Sequence, residues 1–350
     1  MSEILFSYAI QDLTLRHTWT IARGSSDCKT NVFVKLVCEG VTGYGEAAPN
    51  IRYDETAASS VDFLKLAQST VEKADLWHYH NLAEEVAELI PGQTAAKTAI
   101  DIAVMDWIGK KVGLPLHRYF GLNNEKTPMT TYSIGIDTPE VIKQKIGEAT
   151  SFPVLKIKVG LKNDEEVIAA VRSVTDKPLR VDANEGWIDK EEALRKIEWL
   201  QTQGVELIEQ PMPAAMLEET AWLRQRVQIP IIADESVKTT RNIPELAGAF
   251  DGINIKLMKA GGIQEAMRMI VLARAFDMKI MLGCMVESSL AISAAASLAP
   301  LVDYADLDGN LLISNDPFTG VKVADGKLVL QDAPGVGADP VANIWGKEEG

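Results

Sequence analysis

Hydrophobic positions along the chain fall into two textures that change near residue 128. In the first, residues 3–16 and 31–39 read as strands of an open, antiparallel start. Val32, Val34 and Leu36 alternate with Phe33, Lys35 and Val37, and Gly40 closes the run. Gly43, Tyr44, Gly45 and Glu46 predict a glycine-punctuated turn. Helical spacing follows over residues 54–66 and 82–89. The longest helical signal covers 94–112, with Ala99, Ile102, Ala103, Asp106 and Trp107 at helical offsets and Gly113, Leu114 and Pro115 as its stop. Strands and helices do not alternate here, so residues 1–125 predict an α+β domain.

In the second texture, short apolar runs alternate with amphipathic stretches. The runs lie at 130–136, 154–159, 179–182, 206–209, 229–234, 252–257, 279–284 and 304–307. Helical patterns separate them, at 164–174, 190–203, 216–227, 263–276 and 288–298. Continuous apolar strands alternating with helices predict a parallel sheet covered on its outer side. Eight such units predict a closed (β/α) barrel over residues 126–314 rather than an open doubly wound sheet. No Gly-rich phosphate fingerprint follows its first strand, which argues against a dinucleotide fold. Residues 315–350 are loop-rich, with Gly and Pro, and are expected to return to the first domain.

Composition narrows the function classes. The chain has 350 residues, 47% of them hydrophobic, enough for a large core. Its 35 Lys and Arg against 49 Asp and Glu give a net charge of −14, which argues against nucleic acid or an anionic membrane as partner. No apolar run reaches the length of a membrane span. Met1, Ser2 and Glu3 lack the basic-then-apolar pattern of a signal peptide, so a cytoplasmic location is expected. Cys28, Cys38 and Cys284 are too few and scattered for a disulfide framework, and His17, His78, His80 and His117 show no metal-ligand spacing.

Active sites of (β/α) barrels sit at the C-terminal ends of the strands. Those ends carry Lys156-Ile157-Lys158, Asp182-Ala183-Asn184, Glu209-Gln210-Pro211, Asp234-Glu235-Ser236, Asn254-Ile255-Lys256 and Asp306-Leu307-Asp308. The strand period of two puts Lys156 and Lys158 on one face, Lys256 with Asn254, and Asp306 with Asp308. Lys259 has the opposite parity to Lys256, which selects Lys256. A single charge at a strand end is usually a solvated loop residue; the number of them here is what argues for function. Carboxylates on three consecutive strand ends repel unless a cation lies between them, and three hard oxygen donors suit Mg²⁺. A metal holding a substrate carboxylate makes the adjacent α-proton more acidic. A neutral lysine can take that proton, and Lys156 beside Lys158 would depress the lysine pKa toward neutrality. Lys256, across the barrel, approaches from the other side. Two bases on opposite faces of one carbon fit racemisation or epimerisation.

These residues resemble the enolase superfamily, in its muconate-lactonizing subgroup. The matching motifs are Leu-Lys-Ile-Lys-Val-Gly (155–160), Val-Asp-Ala-Asn (181–184), Ile-Glu-Gln-Pro (208–211), Ala-Asp-Glu-Ser (233–236) and Asn-Ile-Lys-Leu-Met-Lys (254–259). Tyr44-Gly45-Glu46 and the helix ending at Gly113-Leu114-Pro115-Leu116 look like that family's capping domain. The resemblance implies an α/β fold, a (β/α)₇β TIM-like barrel under an α+β capping domain. It implies Asp182, Glu209 and Asp234 as Mg²⁺ ligands and Lys158 and Lys256 as the base pair. Ala-Asp-Leu-Asp-Gly (305–309) looks like the dipeptide epimerases, whose paired aspartates bind the substrate's α-ammonium; that assigns Asp306 and Asp308. By the same likeness Ser133, Lys156 and Cys284 contact substrate. The similarity is greatest to L-Ala-D/L-Glu epimerases, which act on peptides from cell-wall recycling.

Relatives that prefer Glu place an arginine on the capping loop over the site. Here the loop reads Ala22-Arg23-Gly24-Ser25-Ser26-Asp27, so Arg23 is the candidate, and Ser26 stands where some relatives have a second arginine. Lys29 and Arg52 are other cations of the cap. The expected partners are a small dipeptide and further copies of the chain in a homo-oligomer. Two alternatives stay open: an N-acylamino-acid racemase or cycloisomerase of the same superfamily, and a non-catalytic metal-binding barrel.

Overall fold

The computed structural model describes residues 2–341 and 343–345, so Met1, Ala342 and residues 346–350 of the expected tail lie outside it. The chain begins with a three-stranded antiparallel sheet of β1 (Ile4–Ile21), β2 (Gly24–Cys38) and β3 (Val41–Ala47). β1 and β2 run well past the predicted strands. Their outer halves carry Ser25, Ser26, Asp27, Cys28, Lys29 and Thr30, which follow no apolar alternation because this part of the hairpin reaches over the barrel instead of packing on the core. Thr20 O accepts a hydrogen bond from Ile136 N at 2.9 Å, which ties the hairpin tip to the barrel rim.

The predicted turn at 43–46 is strand β3. Gly43 and Gly45 mark a close approach: a Cβ at either would stand 2.0 Å from Ala103 O or 1.8 Å from Ala99 O. Those carbonyls belong to α3 (Thr94–Val112), which has the predicted bounds. It is preceded by α1 (Ala57–Glu72), capped by Thr56 and Ser59, and α2 (Tyr79–Glu88), and followed by α4 (Leu116–Tyr119). Helix α3 is buried on nearly all sides between the sheet and the barrel. Its Asp101 accepts from Ile263 N at 2.6 Å and Gln264 Nε2 at 2.7 Å, fastening cap to barrel.

Eight parallel strands form the second sheet in sequence order: β4 (Tyr132–Ile134), β5 (Leu155–Lys158), β6 (Leu179–Asp182), β7 (Val205–Glu209), β8 (Ile231–Ala233), β9 (Gly252–Lys256), β10 (Lys279–Gly283) and β11 (Tyr304–Asp306). A parallel bridge between Thr130 and Ala305 closes the barrel. The crossovers contain α5 (Pro139–Glu148), α6 (Asp164–Arg172), α7 (Lys190–Thr202), α8 (Leu217–Arg224), α9 (Ile243–Leu246), α10 (Leu257–Ala260), α11 (Ile263–Ala275) and α12 (Ser289–Ala296). The pattern is (β/α)₇β, as the motifs implied. Helix α5 was absent from the sequence reading, although Pro139 at its first turn is a start signal. Helix α10 replaces the end of a predicted strand, with consequences for Lys259.

Past β11, Phe318 stacks on Phe33 with centroids 5.6 Å apart, and Val336 N donates to Asp106 Oδ1 of α3 at 2.9 Å. Between those contacts, strands β12 (Lys322–Ala324) and β13 (Lys327–Val329) form a hairpin whose Gly326 O accepts from Thr130 N at 2.8 Å.

Candidate active site

Strands β6 and β7 end in Asp182 and Glu209, paired in register, and Asp234 directly follows β8. Adjacent parallel strands of equal register deliver their last residues to one place, and carboxylate oxygens of these three lie within 4.8 Å of one another, all buried. Neighbouring groups orient them. Asp182 Oδ1 accepts from Asn184 N at 2.9 Å, and Glu209 Oε1 from Asn254 Nδ2 at 2.9 Å. Gln210 Oε1 accepts from Asp234 N at 2.9 Å. The chain leaves the first two strands through left-handed backbone at Asn184 (φ 45°), Glu185 (φ 69°) and Gln210 (φ 37°), conformations unusual for residues with a Cβ.

The cluster fits a divalent cation. Glu209 Oε2 is buried and receives no hydrogen bond of good geometry, although Lys156 Nζ stands 2.7 Å away. Burial, then the charge of Asp182, pushes the Glu209 carboxyl up to about 8. Both observations show a centre short of positive charge, and three hard oxygen donors suit Mg²⁺.

Two lysines stand at opposite ends of this cluster. Lys158 Nζ, from β5, donates to Asp182 Oδ2 at 2.5 Å, and Lys256 Nζ, from β9, donates to Asp234 Oδ2 at 2.8 Å. Both line a cavity of about 350 Å³ between barrel rim and cap. Lys156 is buried among three carboxylates, Asp306 Oδ2 at 2.6 Å, Glu209 Oε2 at 2.7 Å and Asp182 Oδ2 at 3.1 Å. The chain's own carboxylates act on Lys256 in the direction opposite to what a free-amine base needs. Burial lowers its pKa, but Asp234 and Glu209 outweigh burial and hold Lys256 well above the ordinary lysine range.

Asp306 and Asp308 form a third side of the cavity. Asp306 Oδ1 accepts from Thr131 Oγ1 in a short hydrogen bond and from Ser133 Oγ at 3.3 Å. Asp308 Oδ2 accepts from Ser133 N at 2.6 Å. The two carboxyls differ in charge balance. Burial would raise Asp306, but Lys156 and Lys158 hold it below the usual range; burial and then Asp306 push Asp308 up to about 7. Cys284 also lines the cavity, its Sγ 3.3 Å from Asp306 O. Burial and nearby acids hold its thiol well above the ordinary cysteine range, as an un-ionised contact.

From the cap, Trp19, Ile21, Arg23, Lys29, Arg52 and Tyr53 close the cavity, with the Trp19 ring centroid 6.0 Å from Lys158 Nζ. Arg23 is placed over the site as expected, but its guanidinium is already used. It donates to Asn184 O at 2.9 Å and pairs with Glu235 Oε1 at 2.8 Å and Glu185 Oε2 at 3.4 Å. Arg52 holds Glu185 with two bonds, Nε to Oε2 at 2.9 Å and Nη2 to Oε1 at 3.0 Å.

Strand parity misplaced Lys259. The strand stops at Lys256 and α10 turns the chain back, so Lys259 Nζ reaches Asp234 Oδ1 at 2.5 Å, Asp234 O at 2.6 Å and Asn254 O at 3.1 Å. Glu235, Asn184 and Asn254 were inside the quoted motifs yet carried no role. Their signal was present: Asn184 and Glu235 flank strand-end carboxylates, and Asn254 shares a strand face with Lys256.

Family models match the chain across both regions: the mandelate racemase / muconate lactonizing enzyme N-terminal domain over residues 7–121, and the enolase C-terminal domain-like model over 141–343. The chain belongs to the enolase superfamily. Among its superfamily relatives, the L-Ala-D/L-Glu epimerase of Bacteroides thetaiotaomicron is 49% identical over 93% of this chain and 85% of its own. The L-Ala-D/L-amino acid epimerase of Pedosphaera parvula is 44% identical, over 93% and 95%. A superfamily crystal structure, the dipeptide epimerase of Enterococcus faecalis V583 complexed with Mg and L-Leu-L-Tyr, superposes with a TM-score of 0.91 at 33% identity, covering 97% of this chain and 100% of that one.

Proposed function

We propose that this protein is a Mg²⁺-dependent dipeptide epimerase that inverts the α-carbon of the C-terminal residue, with L-Ala-D/L-Glu as substrate. The observation that carries the reading is the placement of Lys158 and Lys256 at opposite ends of the Asp182, Glu209 and Asp234 cluster, facing one cavity. In this reading Asp182, Glu209 and Asp234 hold the ion. Bound there, Mg²⁺ supplies positive charge to the substrate carboxylate as negative charge develops on it. Asp308, backed by Asp306 and Ser133, receives the dipeptide ammonium, a group that an N-acylated amino acid or a muconate lacks. Lys156 fixes Asp306 relative to the acid cluster, and Cys284 supplies a neutral wall. One lysine, as the free amine, takes the α-proton from one face. The other, as ammonium, returns a proton to the opposite face, and the configuration inverts.

The reading includes a capping domain at 1–125, a barrel at 126–314 and a tail, 315–350, packed on the cap. It also includes a homo-oligomer, which sedimentation tests. Among the described residues no helix is long and apolar enough to cross a membrane. The decisive experiment incubates a dipeptide library with the protein and Mg²⁺ in D₂O and reads deuterium at the α-carbon by mass. Exchange on free-amine dipeptides, Ala-Glu among the fastest, is expected. Exchange only on N-acylamino acids would replace this reading with a racemase, and no exchange on any substrate would leave a binding barrel.

A further inference from the structure

The cavity is lined by six cations: Arg23, Lys29, Arg52, Lys156, Lys158 and Lys256. Five are matched to acids of the chain: Arg23 to Glu235 and Glu185, Arg52 to Glu185, and the three barrel lysines to Asp182, Glu209, Asp234 and Asp306. Lys29 differs. Its Nζ makes no hydrogen bond or ion pair among the described residues, although its side chain is partly buried. Burial pulls its pKa down against a smaller opposing pull from Cys28.

The position of Lys29 is fixed by its strand. It shares a face of β2 with Asn31, two residues on, and Asn31 Nδ2 is clamped to Glu46 Oε1 at 2.8 Å and Val286 O at 3.1 Å. Lys29 therefore stands one pleat further out over the cavity mouth on an anchored strand. The other strand of the hairpin places Trp19 beside Lys158, one of the two proposed bases. Trp19, Ile21 and Tyr53 supply apolar wall for the methylenes of a side chain leaving that carbon. A half-desolvated ammonium without a partner costs free energy that an incoming anion restores.

From this placement we infer that Lys29, rather than Arg23, is the specificity-determining residue that pairs with a carboxylate on the side chain of the epimerised residue. Arg23 is instead a strut between hairpin and barrel, its guanidinium held by Asn184 O, Glu235 and Glu185. The inference rests on the epimerase reading above and names the group that would make this site select glutamate dipeptides.

The test compares wild type, Lys29→Met and Lys29→Arg on L-Ala-L-Glu, its neutral isostere L-Ala-L-Gln, and L-Glu-L-Ala, in Mg²⁺. Both kcat/KM and calorimetric Kd are measured. A charge-assisted pair predicts that Lys29→Met loses about 10- to 100-fold on Ala-Glu, stays within about threefold on Ala-Gln and Glu-Ala, and that Lys29→Arg recovers most of the loss. Equal losses on all three ligands would make Lys29 a support of the cap and overturn the inference. So would no loss on Ala-Glu, or a loss confined to Glu-Ala. If wild type exchanges no α-proton on any dipeptide, the epimerase reading fails. The binding comparison of Ala-Glu with Ala-Gln still decides the role of Lys29.

Discussion

At the barrel rim, Lys156, Lys158, Lys256 and Lys259 each touch a buried carboxylate; on the cap, the side chains of Arg23 and Arg52 remain 33% and 35% exposed, and Lys29 touches no acid among the described residues. The two regions line one cavity and differ in what positions their charges. On the rim, strand register and a closed network fix every group, so proton transfer between set points can be built there. On the cap, Arg23 and Lys29 sit on the hairpin and Arg52 on the turn after β3, where residues can change without disturbing the acid cluster. In the proposed reading, proton transfer and ammonium binding belong to the rim, and selection of the epimerised side chain belongs to the cap.

That contrast can be broken most severely at the acid cluster. Chelation should abolish epimerisation and added Mg²⁺ restore it; full turnover in metal-free buffer would remove the proposed role of Asp182, Glu209 and Asp234. Next in size is Lys259→Met, which strips a cation from buried Asp234 and should cost about 3–5 kcal/mol of stability. Urea unfolding should show a larger loss in chelator than in saturating Mg²⁺, because the ion replaces part of the missing charge. Equal losses in both would separate Lys259 from the cation site.

The seam between the two regions buries a carboxyl, Glu287, from which a pH dependence of stability is predicted. Burial, and then Glu46, push Glu287 up to about 8, far above an unfolded glutamate. The folded protein therefore keeps a proton that the unfolded chain releases, so this group favours folding below pH ~4.5 and progressively loses that contribution as pH rises toward about 8. Glu287→Gln should remove a few kcal/mol, to order of magnitude, from the stability difference between pH 5 and pH 8. An unchanged slope in denaturant melts at those pH values would contradict it. The smallest effect belongs to the exposed side of the cap. Arg52→Ala should cost under about 1 kcal/mol of stability and raise KM within about fivefold while sparing kcat. A collapse of kcat would place Arg52 with the rim instead.

Much of the rim was legible in the sequence because strand parity is strict and barrel chemistry gathers at strand ends. Asp182, Glu209, Asp234 and Lys256 followed from short runs whose bounds shifted by only a few residues, whereas parity put Lys156 and Lys158 on one face and only the family resemblance chose Lys158 as a base. Parity failed where it was extended past the strand: Lys259 lies on a helical turn that no local signal separated from the β9 run. The cap was harder. Gly43 and Gly45 have the composition of a turn, and only the helix packed on them explains two glycines within a strand. The partners of Arg23, on the barrel, and the absence of one for Lys29 depend on where the hairpin lies over the barrel. That is a tertiary fact with no local pattern.

The central claim is that two lysines serve opposite faces of one carbon. Wild type, Lys158→Ala and Lys256→Ala are each incubated in D₂O with Mg²⁺ and, separately, L-Ala-L-Glu or L-Ala-D-Glu, and α-deuterium is followed by mass together with the diastereomer ratio. The account predicts that wild type deuterates both isomers while interconverting them. Each variant should lose epimerisation by at least about 10²-fold yet still exchange one isomer, a different one for each variant. Epimerisation at the wild-type rate after loss of Lys256, or both variants exchanging the same isomer, would contradict it.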